Sequence, residues 1–564
     1  MASPLIDLAD SVRFLQSLEG EPFAHVPVGN HFETLALRGR GFDGWLRDRH
    51  FEVTGKAAPS QAVADALGVF EHRARLGEHV TVSVRLASPA DGLVYLDLGG
   101  RDHRVVEVSA TGWRVIEGAD SPVYFRRPGG MLEIPTPERG GSLDELRPFV
   151  NVGSAESWRL VAGWLVAALR PRGPYPLLVL LGEQGCAKST TARVLRRIID
   201  PNKAELRAEP RSVEDLVLAG SNGLIVALDN VSNLQPWLSD ALCRIATGGG
   251  LSRRRLYTDS EEALFDISRP TLVNGIGDVI SRPDLLDRSF LVTLPRIEDS
   301  ARRREAEFWR EYALAHPRIL GALLDAVSTA IRTEDTIAES IGPLPRMADA
   351  ACWIEAAAPA LGWERGEFLA AYSAARADAR ELALDASDVG RAVQAMMDGR
   401  VEYRATATDL LIEIAKYVPE QTTRGRAWPR TARALTSALQ RVAPVLRAAG
   451  IDLAQERDLG RQRRRLWRIV VSPRDDRPDR PNRPNVSDIG GLGSDGPRSQ
   501  PSAGASSADT SADCGHNDRG DRPNVTHRNR RGSDGPDGSD DLPGHSQQWP
   551  EAEGLIDLLE PEPW

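Results

Sequence analysis

Apolar and polar positions change rhythm several times along this chain. In residues 1–130, a helical pattern covers Ala62–Leu76. Three strand-like runs follow: His79–Ala87, Gly92–Leu98 and Arg104–Glu117, the last broken near Ala110-Thr111-Gly112. Val80, Val82 and Val84 alternate with polar residues, as a half-buried strand requires. These elements predict an α+β N-terminal domain, and Pro122–Gly141, rich in Pro and Gly, reads as a linker. Four solid apolar runs come next, Tyr175–Leu181, Gly223–Leu228, Pro270–Val273 and Phe290–Leu294. Short, uninterrupted runs of this kind suit parallel strands covered on both faces.

Beyond residue 300 the spacing turns helical. Arg302–Ala315 and Pro317–Arg332 are amphipathic, and another helix starts at Pro345 and runs towards Leu361. Residues 401–472 predict a winged-helix-like module. One helix covers Ala407–Tyr417. A second covers Thr431–Ala449, with Leu435, Leu439, Val442 and Leu446 at helical spacing, Gly450 as its stop and Pro444 expected to kink or split it. Strands at Ile451–Leu453 and Leu466–Val471 flank a turn at Gly460–Arg465. Pro473–Gln548 has almost no aromatic or branched apolar residues and reads as a disordered linker. Trp549–Trp564 regains Leu555, Ile556, Leu558 and Leu559 among carboxylates, the pattern of a short docking segment for a replication-protein partner.

Charge modifies this picture. The total of 70 Lys+Arg against 80 Asp+Glu, net −10, argues against a uniformly basic nucleic-acid coat. The distribution is uneven: 473–564 carries −8, and 401–472 carries +7. A basic module therefore stands beside an acidic tail, and it suits phosphate contact. Only Lys56, Lys188, Lys203 and Lys416 are lysines. Four scattered cysteines without a CxxC pair exclude a disulfide scaffold or a Cys-based zinc finger. His25, His31, His50 and His103 lack metal-ligand spacing and read as surface or core histidines. No apolar run approaches the ~20 residues of a membrane helix, and the start lacks a leader pattern. A soluble, cytoplasmic protein is expected, with no membrane partner.

The chemistry lies in the centre. Tyr175–Leu181 runs into Gly182-Glu183-Gln184-Gly185-Cys186-Ala187-Lys188-Ser189-Thr190, and a helical stretch, Thr191–Ile199, follows. Strand, Gly-containing loop, Lys-Ser, helix is the phosphate-cradling P-loop order. Backbone N–H groups would hold phosphate oxygens. Lys188 would neutralise the β- and γ-phosphates of ATP, and Ser189 would ligate Mg²⁺. Ala187 stands where Gly is usual before the Lys. Gly223–Asn230 is a second strand ending in an acid, placing Asp229 on Mg²⁺ directly or through water. The next residue, Asn230, orients water but cannot accept its proton. That role would then pass to another acid, such as Asp240, Glu261 or Glu262. Asn274, at the tip of a third strand, fits a γ-phosphate sensor or simply opens the turn before Gly275. Arg282 or Arg288 would serve as an arginine finger or form local salt bridges with Asp284 or Asp287.

A helix ending at Gly248-Gly249-Gly250 leads into Leu251-Ser252-Arg253-Arg254-Arg255-Leu256. This order of motifs resembles the superfamily 3 helicases, the AAA+ branch that includes primase-helicases of phages, satellite phages and plasmids. The resemblance covers 155–300 and, more loosely, the region to 472. It implies an α/β fold with an AAA+-like P-loop ATPase core (142–300), a helical lid or extension (301–400), the winged-helix-like module and a homo-hexamer. It also makes Arg253, Arg254 and Arg255 DNA contacts. Arg461, Arg463, Arg464 and Arg465 of the basic turn join them on charge. The expected function is an ATP-driven DNA helicase or origin-melting ATPase of a mobile element. The competing expectation is a nucleotide-gated DNA-binding regulator or defence ATPase without unwinding.

Overall fold

The structure, a computed structural model, describes residues 3–231, 234–249, 251–254, 262–265, 267–275, 283–342, 344–425, 428–457 and 465–471. The expected linker and docking segment at 473–564 lie outside them. Among the described residues, no helix is long and apolar enough to cross a membrane.

The apolar runs of the central region fold as strands because nothing else hides them. Leu177–Leu181 is buried at every position. Thr271–Gly275 lies on one side of it and Ser289–Thr293 on the other, both parallel. Val226–Val231 then pairs in parallel with Thr271–Gly275, which completes a four-stranded sheet. The strand that comes third in sequence is thus inserted between the first two. At the outer edge, Arg207 continues the ladder: its N–H donates to Ala227 O at 2.9 Å, and Asp229 N–H donates to Arg207 O at 2.8 Å.

Helices cover both faces: Ala155–Ala168 and Lys188–Ile199 pack with Leu178 and Leu180 on one, and Val213–Ser221 and Pro236–Thr247 with Leu177 and Val179 on the other. The two amphipathic helices expected over 302–332 are one helix, Glu305–Ser340, with Pro317 inside it. Proline removes one backbone donor, but Ile319, Leu320, Leu323 and Leu324 just beyond it are all buried, and this packing carries the helix through. The next helix spans Ala348–Ala357 and ends in a 3-10 turn, Ala358–Leu361.

The segment read as a linker, Pro122–Gly141, is packed instead. Ile134 is buried, and its N–H donates to Leu98 O at 2.7 Å. Glu138 N–H donates to Pro317 O at 2.9 Å. A Cβ on Gly321 would lie 1.8 Å from Glu138 O, so this crossing requires glycine. Pro and Gly here serve a close backbone approach, which composition alone does not distinguish from a loose tether.

The N-terminal region contains two parts. Residues 5–74 build their own core around Phe42, Phe70, Leu46 and Val63. The hairpin strands Arg13–Ser17, Pro22–Val28 and His31–Ala36, which apolar patterning did not reveal, form its sheet together with Glu78–Val80. The run His79–Ala87 is divided among three sheets, as Glu78–Val80, Val82–Ser83 and Leu86–Ala87. The sheet formed by Leu86–Ala87, Leu93–Asp97, Val105–Ser109 and Gly112–Ile116 shares the core of the central region through Val94, Leu96, Val106 and Trp113. A buried ion network joins the two. Asp200 accepts from Leu224 N–H at 3.1 Å and Ile225 N–H at 3.0 Å, and it faces Arg196 at 3.6 Å and Arg85 at 3.5 Å. The Arg85 side chain is fully buried.

Residues 402–471 form a three-stranded sheet, Glu402–Thr406, Arg465–Val471 and Ile451–Arg457, with helices Ala407–Ile414, Glu420–Arg424 and Ala432–Ala448. The first strand was not evident from patterning. Pro444 neither splits nor ends the third helix. The core of this module extends back to Ala383, Val393 and Met396.

His316, in the long helix, is buried and hydrogen-bonds Ile198 O at 3.1 Å. Burial lowers its pKa to about 4. Unfolded, it titrates near ~6.5, so between these values the unfolded chain binds more protons. Stability therefore falls as pH drops from about 6.5 to about 4, by roughly 3 kcal/mol from this group. Denaturant unfolding at pH 7.5 and 4.5 should show a shallower loss in His316→Gln than in wild type. Equal losses would contradict the assignment.

Candidate functional site

The loop between Leu177–Leu181 and Lys188–Ile199 is shaped by backbone angles that few residues adopt. Gly182 has φ 146° and Gly185 φ 85°, both in glycine territory. A Cβ on Gly182 would lie 2.7 Å from Cys186 Sγ and 2.8 Å from Leu294 O. Ala187 is also left-handed, at φ 61°. The usual Gly at this position has a physical reason, and Ala occupies it with modest strain. Asn151, not anticipated from sequence, braces the loop by donating to Cys186 O at 3.0 Å and Pro295 O at 2.6 Å.

The helix Lys188–Ile199 starts without a side-chain cap. Its first N–H groups point out of the helix end, an arrangement that suits an anion. Lys188 Nζ folds back to donate to Gly182 O and Glu183 O, each at 2.8 Å. Glu183, Gln184 and Gly185 are exposed at the rim; Thr190 is half-buried in the first turn. Arg302 also reaches the loop, its Nη2 lying 3.5 Å from where a Gly185 Cβ would stand. It comes from a segment distant in sequence, and no motif marks it.

Three strand ends converge on this helix start. Ser189 Oγ donates to Asp229 Oδ1 at 2.9 Å. The Val226–Val231 strand shifts register between Leu228 and Val231, a bulge at Asp229-Asn230. Asn230 there is left-handed at φ 54°. Asn tolerates that conformation better than most side chains, which gives its presence a backbone reason. Its N–H donates to Asn274 Oδ1 at 2.7 Å. That bond fixes the amide orientation, leaving the buried Asn274 Nδ2 without a partner among the described residues. Serine hydroxyl, carboxylate and orphaned amide are thus gathered by the inserted strand. The donor set fits a divalent cation at Ser189 and Asp229 beside a phosphate.

The remaining candidates are placed less completely. Arg288 donates to Asp284 O at 2.8 Å and pairs with the Asp284 carboxylate, its side chain only 12% exposed. Asp240 is exposed and has an interaction partner. Arg253 and Arg254 lie on the strand Leu251–Arg254, paired antiparallel with Glu262–Phe265. Arg255, Glu261, Arg282, Arg461, Arg463 and Arg464 lie outside the described residues. Arg465 is exposed at the start of its strand. Near it, Arg433, Thr436, Gln455 and Trp467 line a cavity of about 310 Å³. Arg433 was not anticipated: one Arg on an amphipathic helix carries no signal.

The geometry defines a mixed α/β protein with an anion-competent loop on a parallel sheet, joined to a basic module over 401–472. Residues 143–381 match the family model described as "Actinomycete integrative conjugative element replication protein", and 389–483 match the "AICE RepA C-terminal domain". Two segments of the chain are thus similar to the domains of this replication-protein family. No curated protein matches. Two solved structures of the NrS-1 C-terminal region, both titled as the A form apo structure, align at 12% and 11% identity with TM-scores of 0.36 and 0.35. Each alignment covers 83% of this chain and 98% of that one.

The loop geometry makes its own prediction. Gly182→Ala should destabilise the fold by roughly 1–3 kcal/mol. Ala187→Gly should change stability by less than about 1 kcal/mol. Urea unfolding of both variants tests the pair; an unaffected Gly182→Ala would refute the packed-loop account.

Proposed function

We propose that this chain is a Mg²⁺-dependent ATPase that opens DNA during replication of a mobile element, acting as a helicase or origin-melting enzyme in a homo-hexameric ring. In this reading 142–300 is an AAA+-like P-loop core, 301–400 its helical lid and 401–472 a winged-helix-like module. The observation that carries the proposal is the 2.9 Å bond from Ser189 Oγ to Asp229 Oδ1. A chance glycine turn gives no reason for a hydroxyl in the first helical turn to meet a carboxylate from a strand two places away.

Each residue has a role in that reading. The N–H groups of Gly185 to Thr190 hold phosphate oxygens, and Lys188 turns from its carbonyl partners to the β- and γ-phosphates. Mg²⁺, when bound at Ser189 and Asp229, would neutralise phosphate charge. Asn274 Nδ2 offers a desolvated donor to the γ-phosphate or to the attacking water. Arg302 adds cationic charge in the same subunit. Arg282 or Arg288 would supply a finger to the neighbouring site; for Arg288 this requires release from Asp284. DNA is the partner of the hairpin carrying Arg253, Arg254 and Arg255, and of the basic turn Arg461, Arg463, Arg464 and Arg465. Arg433 supplements that turn. The segment 549–564 would recruit a replication partner.

One observation favours a second reading, a nucleotide-gated regulator. Asn230 supplies no carboxylate after Asp229, and its left-handed backbone is held by Asn274. Slow hydrolysis suits a switch.

ATPase and strand-displacement assays separate the two. Wild type should show DNA-stimulated ATPase and strand displacement. Lys188→Ala should lose hydrolysis at least a hundredfold, ~3 kcal/mol, with DNA binding retained. Sequence-specific binding without displacement would support the regulator. No DNA-stimulated ATPase in wild type would remove the helicase reading.

A further inference from the structure

The histidines of the N-terminal region lack metal-ligand spacing in the sequence and read as surface or core residues. The fold brings two of them together. His31 and Glu33 lie two apart on the strand His31–Ala36, so they share one face. His103 arrives from the turn before Val105–Ser109, in the neighbouring sheet, with its backbone left-handed at φ 55°. A non-glycine residue in that conformation stores strain, which the surroundings must impose.

The three side chains converge on one point. His31 Nε2 lies 3.3 Å from Glu33 Oε1, and His103 Nε2 lies 3.5 Å from the same oxygen. The imidazole rings stack with centroids 3.9 Å apart at 17°. All donor atoms fall within 4.8 Å of one another, and no other such group exists among the described residues. With metal–ligand bonds of ~2.0–2.1 Å, two ligands of a tetrahedral site stand about 3.4 Å apart. The two N–O separations already match that edge. The side chains are 13%, 31% and 15% exposed, sheltered yet reachable. A cavity of about 240 Å³, lined by Glu33, His103 and Arg127, opens beside them and gives an entry path and room for a further ligand.

We propose that His31, Glu33 and His103 form a binding site for a divalent transition metal of the zinc class, with two imidazoles, one carboxylate and one open position. Two nitrogens and one oxygen select borderline cations such as Zn²⁺ and Co²⁺ over Mg²⁺ and Ca²⁺, which prefer oxygen. Loading tilts the two rings out of their stack so that each Nε2 lone pair faces the ion. The bound metal ties the hairpin sheet of 5–74 to the sheet of 86–116, two parts whose cores are otherwise separate. The site is independent of the nucleotide loop.

The test titrates Co²⁺ and then Zn²⁺ into the full chain, reading the visible d–d absorption of Co²⁺ and the melting temperature. Wild type should bind one Co²⁺ at this site with the intense bands of a tetrahedral complex. Zn²⁺ should displace it and raise the melting temperature. The double variant His31→Ala/His103→Ala should lose those bands, which separates this site from histidines elsewhere. Glu33→Gln, which retains size and polarity, should weaken binding by at least ~10–100-fold, the loss that even a supporting partner's removal causes. Absent tetrahedral bands in wild type would overturn the proposal whatever the variants do. Unchanged binding in Glu33→Gln and in the folded double variant would do the same. In that case the cluster is only a hydrogen-bonded clasp.

Discussion

The position of one strand governs the functional centre. Thr271–Gly275 lies between Leu177–Leu181 and Val226–Val231, and its insertion sets how far the loop stands from Asp229. If Leu177–Leu181 and Val226–Val231 were adjacent, Asn274 would have no place between them. As built, Asn274 is buried, takes the Asn230 N–H at 2.7 Å and has an amide group with no partner among the described residues. The bulge at Asp229-Asn230 completes the arrangement by turning the strand end towards Ser189. Buried, unpaired donors are costly to retain, and in the proposed reading this one is satisfied on nucleotide binding. Its partner in that reading is a phosphate oxygen or the attacking water.

The scaffold around the sheet is continuous. Asp200 ends the helix that begins at the loop, and it accepts two N–H groups from the start of the Asp229 strand. The same carboxylate faces Arg85 from the N-terminal sheet. Charges buried this way are strongly coupled to their neighbours, and removing one leaves the others uncompensated. The two ends of the Asp229 strand are therefore anchored to opposite ends of one helix. The sheet of 86–116 shares the central core, whereas 5–74 has its own, so an N-terminal domain of 1–130 contains two structural parts.

Much of the centre was legible because its signals are local. An uninterrupted apolar run of five residues reports a covered strand, and Gly-x-x-x-x-Ala-Lys-Ser reports the loop that follows. The helices Ala407–Ile414 and Ala432–Ala448 and the strands at 451 and 466 were legible for the same reason, each carrying its own periodicity, whereas the short helix Glu420–Arg424 was not. What escaped was non-local. The hairpin of 13–36 mixes polar residues into both faces. The strand Glu402–Thr406 has little apolar character of its own and is recruited by Arg465–Val471. Pro122–Gly141 has a linker's composition, yet its glycines serve contacts with a helix nearly 200 residues away. Pro317 and Pro444 would be breaks in isolation, but packing on both sides holds their helices intact. Arg302, Asn151 and the His31–Glu33–His103 cluster exist only once distant segments meet.

In the proposed function, Ser189 and Asp229 jointly hold a divalent cation against a phosphate. The most direct measurement is the affinity for a fluorescent ATP analogue, with and without Mg²⁺, in wild type and Asp229→Ala. Wild type should bind more tightly with Mg²⁺ by at least tenfold, about 1.4 kcal/mol, and Asp229→Ala should lose that gain while remaining folded. Nucleotide binding that is absent in wild type, or equally Mg²⁺-dependent in both proteins, would contradict the account.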